Sequence, residues 1–166
     1  MIAATLEHVV AELETPTQLS TLLAAQVSPQ WPPGEYDRDA MEFFRARFEE
    51  GGKEVEGWYG WYALRDCDAL QPRVLVGVGG YVGPPDRDGV VEIGYSVLPE
   101  WQRMGYATEI VVALVDRAFS HDRVTKVIAD TTITNPGSIG VLLRSGFQAA
   151  GDGREKGAVR FERRRR

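Results

Sequence analysis

Residues 98–109, Leu-Pro-Glu-Trp-Gln-Arg-Met-Gly-Tyr-Ala-Thr-Glu, have the composition of an anion-binding loop. They follow an alternating apolar run over residues 90–97 and open a helical pattern that continues to about Phe119. A strand, a tight loop and a helix N-terminus together hold phosphates, because first-turn N–H groups lack partners and the helix dipole favours an anion. Gly105 lets the backbone approach the anion closely, and the small Ala107 keeps the next turn open. We therefore predict a phosphate or pyrophosphate site here.

A second group of polar residues opens a later helix. Asn135 is predicted to cap this helix, and Pro136 suits its first position. Ser138 lies in the same first turn, while Gly146 predicts a left-handed end to the helix and Phe147 the apolar residue after it. Asn135 and Ser138 have two open interpretations: a cap and a solvent-facing hydroxyl, or polar groups that contact a ligand.

Both segments resemble one enzyme family. Residues 102–107, Gln-Arg-Met-Gly-Tyr-Ala, resemble the (Gln/Arg)-x-x-Gly-x-(Gly/Ala) pyrophosphate loop of the GNAT superfamily of acetyl-CoA-dependent N-acetyltransferases. The preceding strand over residues 92–95, and the Asn-x-x-Ser…Gly-Phe pattern over residues 135–147, are similar to the branch that acetylates ribosomal-protein N-termini. Met104 departs from the Lys or Arg common in the family. Because backbone amides make most phosphate contacts, we expect this change to weaken CoA affinity without abolishing it.

The resemblance implies an α+β GNAT fold in a single domain over residues 1–166. We expect a central mixed, mostly antiparallel sheet of six to seven strands with about four helices on its faces. The implied activity is transfer of an acetyl group from acetyl-CoA to a primary amine, by direct attack in a ternary complex. The acceptor is a small-molecule amine or a protein N-terminus. Transfer of another acyl group, or a non-catalytic acyl-CoA-binding regulatory module, are the alternatives.

The resemblance also implies roles for individual residues. The strand that ends at Val97 and Leu98 should separate from its neighbour near residues 126–130, which frees backbone amides to hold the pantetheine arm and polarise the thioester carbonyl. Ser138 should face the sulfur and donate to the leaving thiolate. The residues expected to bind acetyl-CoA are Val97, Leu98, Gln102, Arg103, Met104, Gly105, Tyr106, Ala107, Thr108, Asn135 and Ser138.

Glu92 is the candidate general base. Strand alternation places it on one face with Gly94 and Ser96, opposite Val91 and Ile93. These small neighbours leave space beside the carboxylate for a substrate amine or a relay water. The alternative interpretation is a solvated carboxylate at the start of a strand.

The sequence predicts the pocket for the acceptor amine less specifically than the acetyl-CoA site. In this fold it usually involves the first two helices and the loop between them. A substrate pocket is predicted from Trp31, Glu35, Tyr36 and Tyr95, because aromatic rings with carboxylates suit an amine that carries an apolar or ring substituent. Core packing is the alternative for the aromatic residues. No cluster has metal-ligand spacing, so no metal is predicted.

The elements that position these residues follow from periodicity and turn residues. The predicted strands cover residues 9–13, 58–64, 74–82, 90–97, 126–129, 147–150 and 158–162, and those at 58–64, 74–82 and 90–97 should form an antiparallel meander. The predicted helices cover residues 17–25, 37–51, 105–119 and 135–145. The glycines of residues 77–80 resemble a dinucleotide-binding loop, but no helix follows them. We interpret them as letting a ligand or an adjacent chain segment pass close to the strand.

The composition is that of an ordinary globular protein, with 43% apolar and 26% charged residues. No apolar run approaches the ~18 residues of a membrane span, so no membrane association is predicted. Cys67 is the single cysteine, which excludes an internal disulfide and favours a reducing cytoplasm. Asp66 and Asp68 flank it and disfavour a nucleophilic thiolate.

The charge is unevenly distributed along the chain. The whole chain has a net charge of −5. Residues 154–166 hold seven basic and two acidic side chains, a sum of +5, so the rest of the chain carries −10. An acidic body favours a cationic substrate such as an amine and argues against a nucleic-acid surface. The basic tail, residues 163–166, is predicted to be frayed, with contact to RNA or an acidic partner as the alternative. A homodimer through an edge strand, common in this fold, stays open.

Overall fold

A seven-stranded sheet forms the centre of the computed structural model, which describes residues 1–66 and 72–165. Cys67, predicted to be unreactive, and Arg166 lie outside the described residues. The strand order is β1-β2-β3-β4-β5-β7-β6, and every neighbouring pair is antiparallel except β4 and β5. The strands are β1 (Ile2–Ala3), β2 (Gly60–Arg65), β3 (Val74–Tyr81), β4 (Val90–Val97), β5 (Lys126–Thr132), β6 (Gln148–Asp152) and β7 (Ala158–Arg164).

Five α-helices cover the sheet, where about four were predicted. They are α1 (Leu6–Glu14), α2 (Pro16–Leu23), α3 (Arg38–Gly51), α4 (Tyr106–Phe119) and α5 (Pro136–Arg144), with 3-10 turns at Gly52–Val55 and Pro99–Trp101. None of the described helices is long and apolar enough to cross a bilayer. The mixed, mostly antiparallel sheet and the β2-β3-β4 meander are confirmed.

The predicted strand over residues 9–13 is wrong, because these residues belong to α1. Thr5 caps this helix: its side chain accepts from the backbone N–H of His8, whose ring in turn accepts from the Thr5 backbone N–H. This reciprocal capping satisfies two backbone N–H groups at the start of the helix that have no partner within it, and so favours a helix over the predicted strand. The true first strand, Ile2–Ala3, is only two residues long and pairs with β2.

Two apolar cores hold the layers together. One lies between the sheet and helices α4 and α5, and the other between β2, β3 and helices α1 to α3. The glycines of β3 permit this close packing: a Cβ at Gly79 would lie 2.6 Å from the Ile110 side chain, and one at Gly77 would lie 2.6 Å from the Ser96 carbonyl oxygen. The interpretation that an adjacent chain segment passes close to these glycines is confirmed.

The prediction of a frayed basic tail is wrong for residues 163–165. Arg163 and Arg164 belong to β7, which pairs with β5. The Arg163 guanidinium donates to the Ser145 carbonyl at 2.7 Å, and the Arg165 backbone N–H donates to the Thr125 carbonyl at 2.9 Å. These arginines therefore close the C-terminal half of the sheet.

Candidate active site

The sheet opens between its two central strands, as predicted. The parallel pairing of β4 with β5 covers only Val90–Lys126, Val91–Val127 and Glu92–Ile128. Beyond Glu92 the two strands separate, although β4 continues for five more residues to Val97. Backbone groups on this side of β4 are left without a strand partner.

The register identifies which backbone groups face the opening. The Glu92 carbonyl accepts from Val82, and the Leu98 N–H donates to the Val76 carbonyl at 3.0 Å, both on the β3 side. Because hydrogen-bonding direction alternates along an antiparallel strand, Tyr95 and Val97 direct their backbone groups toward the opening. The prediction of a free amide at Leu98 is wrong, because β3 occupies it. Leu98 is also fully buried.

The predicted anion loop lies beside this opening, at the N-terminus of α4. Gly105 is the N-cap residue with a φ of +94°, and no side chain caps the helix. Its first-turn N–H groups are therefore available to an anion. Arg103 has a φ of +63°, a left-handed conformation that an L-residue adopts at a cost. The Gln102 side-chain amide donates to the Val97 carbonyl at 3.0 Å and thereby fastens the loop to the end of β4.

One cavity of about 350 Å³, here called the central cavity, joins the strand opening to the α4 N-terminus. Of the predicted acetyl-CoA residues, those that line it are Val97, Gln102, Arg103, Gly105, Ala107, Thr108, Asn135 and Ser138. Three others do not line it. Leu98 is buried, Met104 is 60% exposed, and the Tyr106 ring packs edge-on against Trp101.

The central cavity also contains a pair of hydroxyl groups that the sequence did not connect. The Tyr95 hydroxyl lies 2.8 Å from the Ser138 hydroxyl and 3.2 Å from the Ser138 carbonyl oxygen, to which it donates. The Asn135 side chain accepts from the Ser138 backbone N–H at 3.0 Å, which confirms the predicted cap. Burial raises the pKa of the Tyr95 phenol, so it remains a proton donor at neutral pH. Tyr95 was predicted only as part of the substrate pocket.

Glu35 lies where three cavities meet. It lines the central cavity, an apolar cavity of about 270 Å³ beneath α3, and a polar cavity of about 220 Å³ that also contains Glu92 and Asp130. The preceding Gly34 brings the loop onto β4, since a Cβ there would lie 2.8 Å from the Ser96 hydroxyl. Among the described residues, Glu35 has no ion-pair partner within 4.0 Å.

Of the three other carboxylates that line the polar cavity, Glu92 and Asp130 are paired with arginines, whereas Glu155 has no ion pair among the described residues. Arg154 donates to Glu92, whose side chain is 18% exposed. Arg160 makes two hydrogen bonds to Asp130, both 2.8 Å long, and these lower the pKa of the Asp130 carboxyl. Glu92 does not line the central cavity. To accept a substrate proton there directly, without a relay water, it would have to move and give up its contact with Arg154.

Trp31 and Tyr36, predicted in the substrate pocket, converge on a buried carboxyl of α1. The Glu12 side chain accepts hydrogen bonds from the Trp31 indole at 2.7 Å, the Tyr36 hydroxyl at 2.8 Å and the Tyr62 hydroxyl at 2.7 Å. Burial raises the pKa of Glu12 despite these donors. Tyr36 lines the apolar cavity, whereas Trp31 lines none of the cavities described here. Sequence reasoning missed Glu12 because it assigned that segment to a strand.

The described residues contain no group of three His, Cys, Asp or Glu side chains placed to hold a metal ion. The central cavity therefore combines uncapped helix N–H groups, open strand backbone, a hydroxyl pair and the carboxylate of Glu35, which has no ion pair among the described residues. Together these features can bind a phosphate-bearing molecule along the strand opening and place a basic group beside it.

Comparison with known proteins assigns the family. The family model for the acetyltransferase (GNAT) domain matches residues 6–148. The chain belongs to the GNAT acetyltransferase family. It is therefore an acyltransferase, and the predicted GNAT fold is confirmed.

Relatives of this GNAT protein agree with the assignment. It is 27% identical over 125 residues to the uncharacterised N-acetyltransferase YjdG of Bacillus subtilis, a match that covers 75% of this chain and 71% of YjdG. It is 32% identical over 77 residues to the uncharacterised N-acetyltransferase YoaA of the same organism, covering 46% of this chain and 44% of YoaA.

Solved structures share the fold at low identity. A candidate ribosomal-protein-serine acetyltransferase of Vibrio cholerae has a TM-score of 0.64 at 19% identity, covering 98% of this chain and 91% of that one. The aminoglycoside acetyltransferase AAC(6')-Ib in complex with coenzyme A has a TM-score of 0.63 at 18% identity, covering 98% and 92%. The spermidine N-acetyltransferase SpeG of Vibrio cholerae has a TM-score of 0.60 at 14% identity, covering 98% and 92%.

Proposed function

We propose that this GNAT protein transfers an acetyl group from acetyl-CoA to a primary amine, by direct attack within a ternary complex. The observation that carries the proposal is the opening of β4 from β5 directly beside the uncapped N-terminus of α4, in one continuous cavity. The solved relatives named for acetyl transfer to aminoglycosides or spermidine share this fold.

The residues present fit acetyl-CoA as the co-substrate. The first-turn N–H groups of α4, from Gly105 to Thr108, would hold the pyrophosphate, and Arg103 lines the same cavity with a cationic side chain. The open backbone groups of Tyr95 and the backbone N–H of Val97, whose carbonyl already accepts from Gln102, would hold the pantetheine arm in the manner of an added strand. Acetyl-CoA supplies an acetyl thioester. In the transfer, the carbonyl carbon of the thioester gains a C–N bond to the amine and loses its C–S bond to CoA.

Glu35 is the group that we assign to the amine. Its carboxylate borders the central cavity and, unlike Glu92 and Asp130, has no ion-pair partner among the described residues. It can bind the substrate ammonium and accept the proton that the amine must lose before it attacks. Glu92, predicted as the base from the sequence, becomes the second candidate for this role.

The Tyr95–Ser138 pair serves the departing sulfur. The ammonium loses one proton to the carboxylate before it attacks. The thiolate that forms gains a proton from a donor in the cavity, and the second proton lost by the attacking nitrogen restores that donor. Tyr95 remains protonated at neutral pH because burial raises its pKa, and its hydroxyl contacts Ser138 at 2.8 Å. This pair thereby extends the role predicted for Ser138 alone.

Initial-velocity kinetics test the ternary complex. CoA thiol release is measured while acetyl-CoA and the amine are varied together. Direct attack predicts intersecting double-reciprocal lines and no CoA release without the amine. Parallel lines, with CoA released before the amine binds, would show an acetylated enzyme and contradict the proposal.

Two finer assignments belong to the same proposal. We place the protein near the ribosomal-protein N-terminal acetyltransferase branch on the Asn-x-x-Ser…Gly-Phe pattern, and in a reducing cytoplasm on its single cysteine.

Transfer of a longer acyl group is the second candidate activity. A competition between acetyl-CoA and butyryl-CoA decides it, because a thioester slot built for acetyl discriminates against the longer chain.

A further inference from the structure

We propose that the apolar cavity beneath α3 selects the acceptor: a primary amine with a single positive charge and one apolar arm, aromatic or branched. This inference rests on the proposed acetyl transfer and names its substrate class. The apolar cavity adjoins the central cavity, and the two share four lining residues, Glu35, Gly94, Tyr95 and Ser96. An amine in the apolar cavity is therefore adjacent to the site proposed for the thioester.

The walls of this cavity are apolar because its tyrosines use their hydroxyls elsewhere. The Tyr36 hydroxyl donates to Glu12 at 2.8 Å, and the Tyr81 hydroxyl donates to the Leu114 carbonyl. Both residues are buried and line the cavity, and the Tyr81 side chain packs against α4 on the other face of the sheet. The rest of the apolar wall consists of Ala40, Phe43, Phe44, Val78 and Val82.

The rim of the cavity is apolar as well. Phe43 is 40% exposed and Val82 is 42% exposed, and both line the cavity. Exposed apolar side chains beside a concave surface are typical of binding sites. The volume of about 270 Å³ lies just below the roughly 300–1,000 Å³ typical of ligand sites. It suits one small apolar group and is too small for an oligosaccharide.

Charge limits the ligand to one ammonium group. Glu35 is the only charged residue that lines the apolar cavity among the described residues. Glu92, Asp130 and Glu155 line the polar cavity and not the apolar cavity, and the first two are paired with Arg154 and Arg160. A second ammonium group would therefore lie against apolar walls without a counter-ion, which is costly.

Gly94 keeps the passage between the two cavities open. It lines both, and a Cβ added there would meet no atom within 4 Å. A side chain at this position would grow into the passage while leaving the packing of the protein intact. Position 94 is therefore where substitution blocks the acceptor with the least effect on folding.

A substrate panel tests the inference. kcat/KM is measured by CoA thiol release for 2-phenylethylamine, ethylamine, spermidine and kanamycin. We expect 2-phenylethylamine to exceed each of the others by at least ~30-fold, since each buried methylene contributes about a several-fold preference. kcat/KM is also measured for a dipeptide with N-terminal phenylalanine. A value above that of 2-phenylethylamine indicates a protein N-terminus as the acceptor, and a value below it indicates a free amine.

Variants show whether the cavity causes this preference. Ala40→Phe fills the apolar cavity, and Gly94→Val narrows the passage, so each should reduce the ratio of kcat/KM for 2-phenylethylamine to that for ethylamine by at least ~10-fold. Leu143→Ala removes an exposed apolar side chain that lines none of the described cavities and should leave the ratio unchanged. Circular dichroism checks the fold of each variant.

The outcomes separate the two proposals. The inference is overturned, while acetyl transfer stands, if wild type prefers spermidine or kanamycin. It is also overturned if the wild-type kcat/KM for 2-phenylethylamine is about equal to that for ethylamine. An unchanged ratio in both folded variants overturns it as well. If wild type binds acetyl-CoA but acetylates no amine of the panel, the proposed function itself fails.

Discussion

Two side chains 43 positions apart in sequence account for the proposed handling of the leaving group. Tyr95 comes from β4 and Ser138 from the first turn of α5, and their hydroxyls lie 2.8 Å apart. Burial raises the pKa of Tyr95 above 10.0. The phenol is therefore a donor across the whole neutral range, and its ionisation should cause no loss of kcat below about pH 10.

Tyr95→Phe removes this donor and keeps the ring. We expect kcat to fall about 10²-fold, within the range typical of general acid catalysis, while the Kd of acetyl-CoA stays unchanged. Ser138→Ala should cost less, because Tyr95 retains a second acceptor, the Ser138 carbonyl at 3.2 Å. Stopped-flow or steady-state thiol release measures kcat, and calorimetry measures Kd. A Tyr95→Phe enzyme with full kcat would contradict the assignment.

The two candidate bases make opposite predictions for a matched pair of variants. If Glu35 receives the amine proton, Glu35→Gln lowers kcat/KM about 10²-fold or more. Glu92→Gln then costs under about tenfold, since its carboxylate is held by Arg154. Glu54→Gln, at an exposed carboxylate outside the described cavities, is the control. The reverse ranking would restore Glu92 as the base.

Residues whose function depends on local geometry were predictable from the sequence. Asn135 caps a helix and Gly105 has a positive φ, and both properties follow from residue type and immediate context. The occupied amide of Leu98 and the Tyr95–Ser138 contact depend on register between distant strands and helices. A single sequence carries no signal for that register.

At the scale of elements, helix α1 holds the acceptor loop in place. Glu12 is buried on α1 and accepts from Trp31 and Tyr36, which flank Gly34 and Glu35 in the loop before α3. The position of Glu35 over β4 therefore depends on a carboxyl that touches no substrate. Glu12 is a positioning residue.

Replacement of Glu12 should reduce both stability and acceptor affinity. Glu12→Leu leaves two buried donors and one half-buried donor without an acceptor, which we expect to lower the free energy of unfolding by about 3 kcal/mol. Urea unfolding measures this change. Amine KM should rise in any folded fraction, while acetyl-CoA affinity is retained. Unfolding at wild-type urea concentrations would contradict the positioning role.

The pH dependence of stability gives a second test of Glu12. Burial raises its folded-state pKa above the ordinary 4.5, so its favourable contribution is complete below that value and is lost as pH rises through the folded pKa. Stability of wild type relative to Glu12→Gln should therefore decline from about pH 4.5 upward. Asp130, whose pKa is lowered, has the opposite dependence, but it is present in both proteins and cancels. A difference that rises with pH would contradict the assignment.

Elements with strong periodicity or clear caps were predicted within a few residues, as α4 and β4 show. The strand predicted over residues 9–13 failed, because a short apolar run of five residues does not distinguish a strand from a helix segment. The Thr5 capping box was the signal that could have decided it.

At the scale of the whole molecule, the site exists because the two halves of the sheet meet over only three residue pairs. Strands β1 to β4 form one antiparallel half and β5 to β7 the other, joined by the short β4–β5 contact. The halves diverge toward the end of β4, where α4 begins. The basic C-terminal strand completes the second half, so its charge serves structure at residues 163–165.

The measurement that tests the account most directly is calorimetric titration of acetyl-CoA into wild type, Gly105→Trp and Gly157→Trp. Both glycines have positive φ and no protein atom closer than 4.0 Å to an added Cβ, so the two substitutions strain the backbone alike. Only Gly105 lies at the α4 N-terminus. We predict micromolar binding by wild type and Gly157→Trp, and its loss in Gly105→Trp. Folded wild-type protein that fails to bind, or a Gly105→Trp variant that binds normally, would contradict the account.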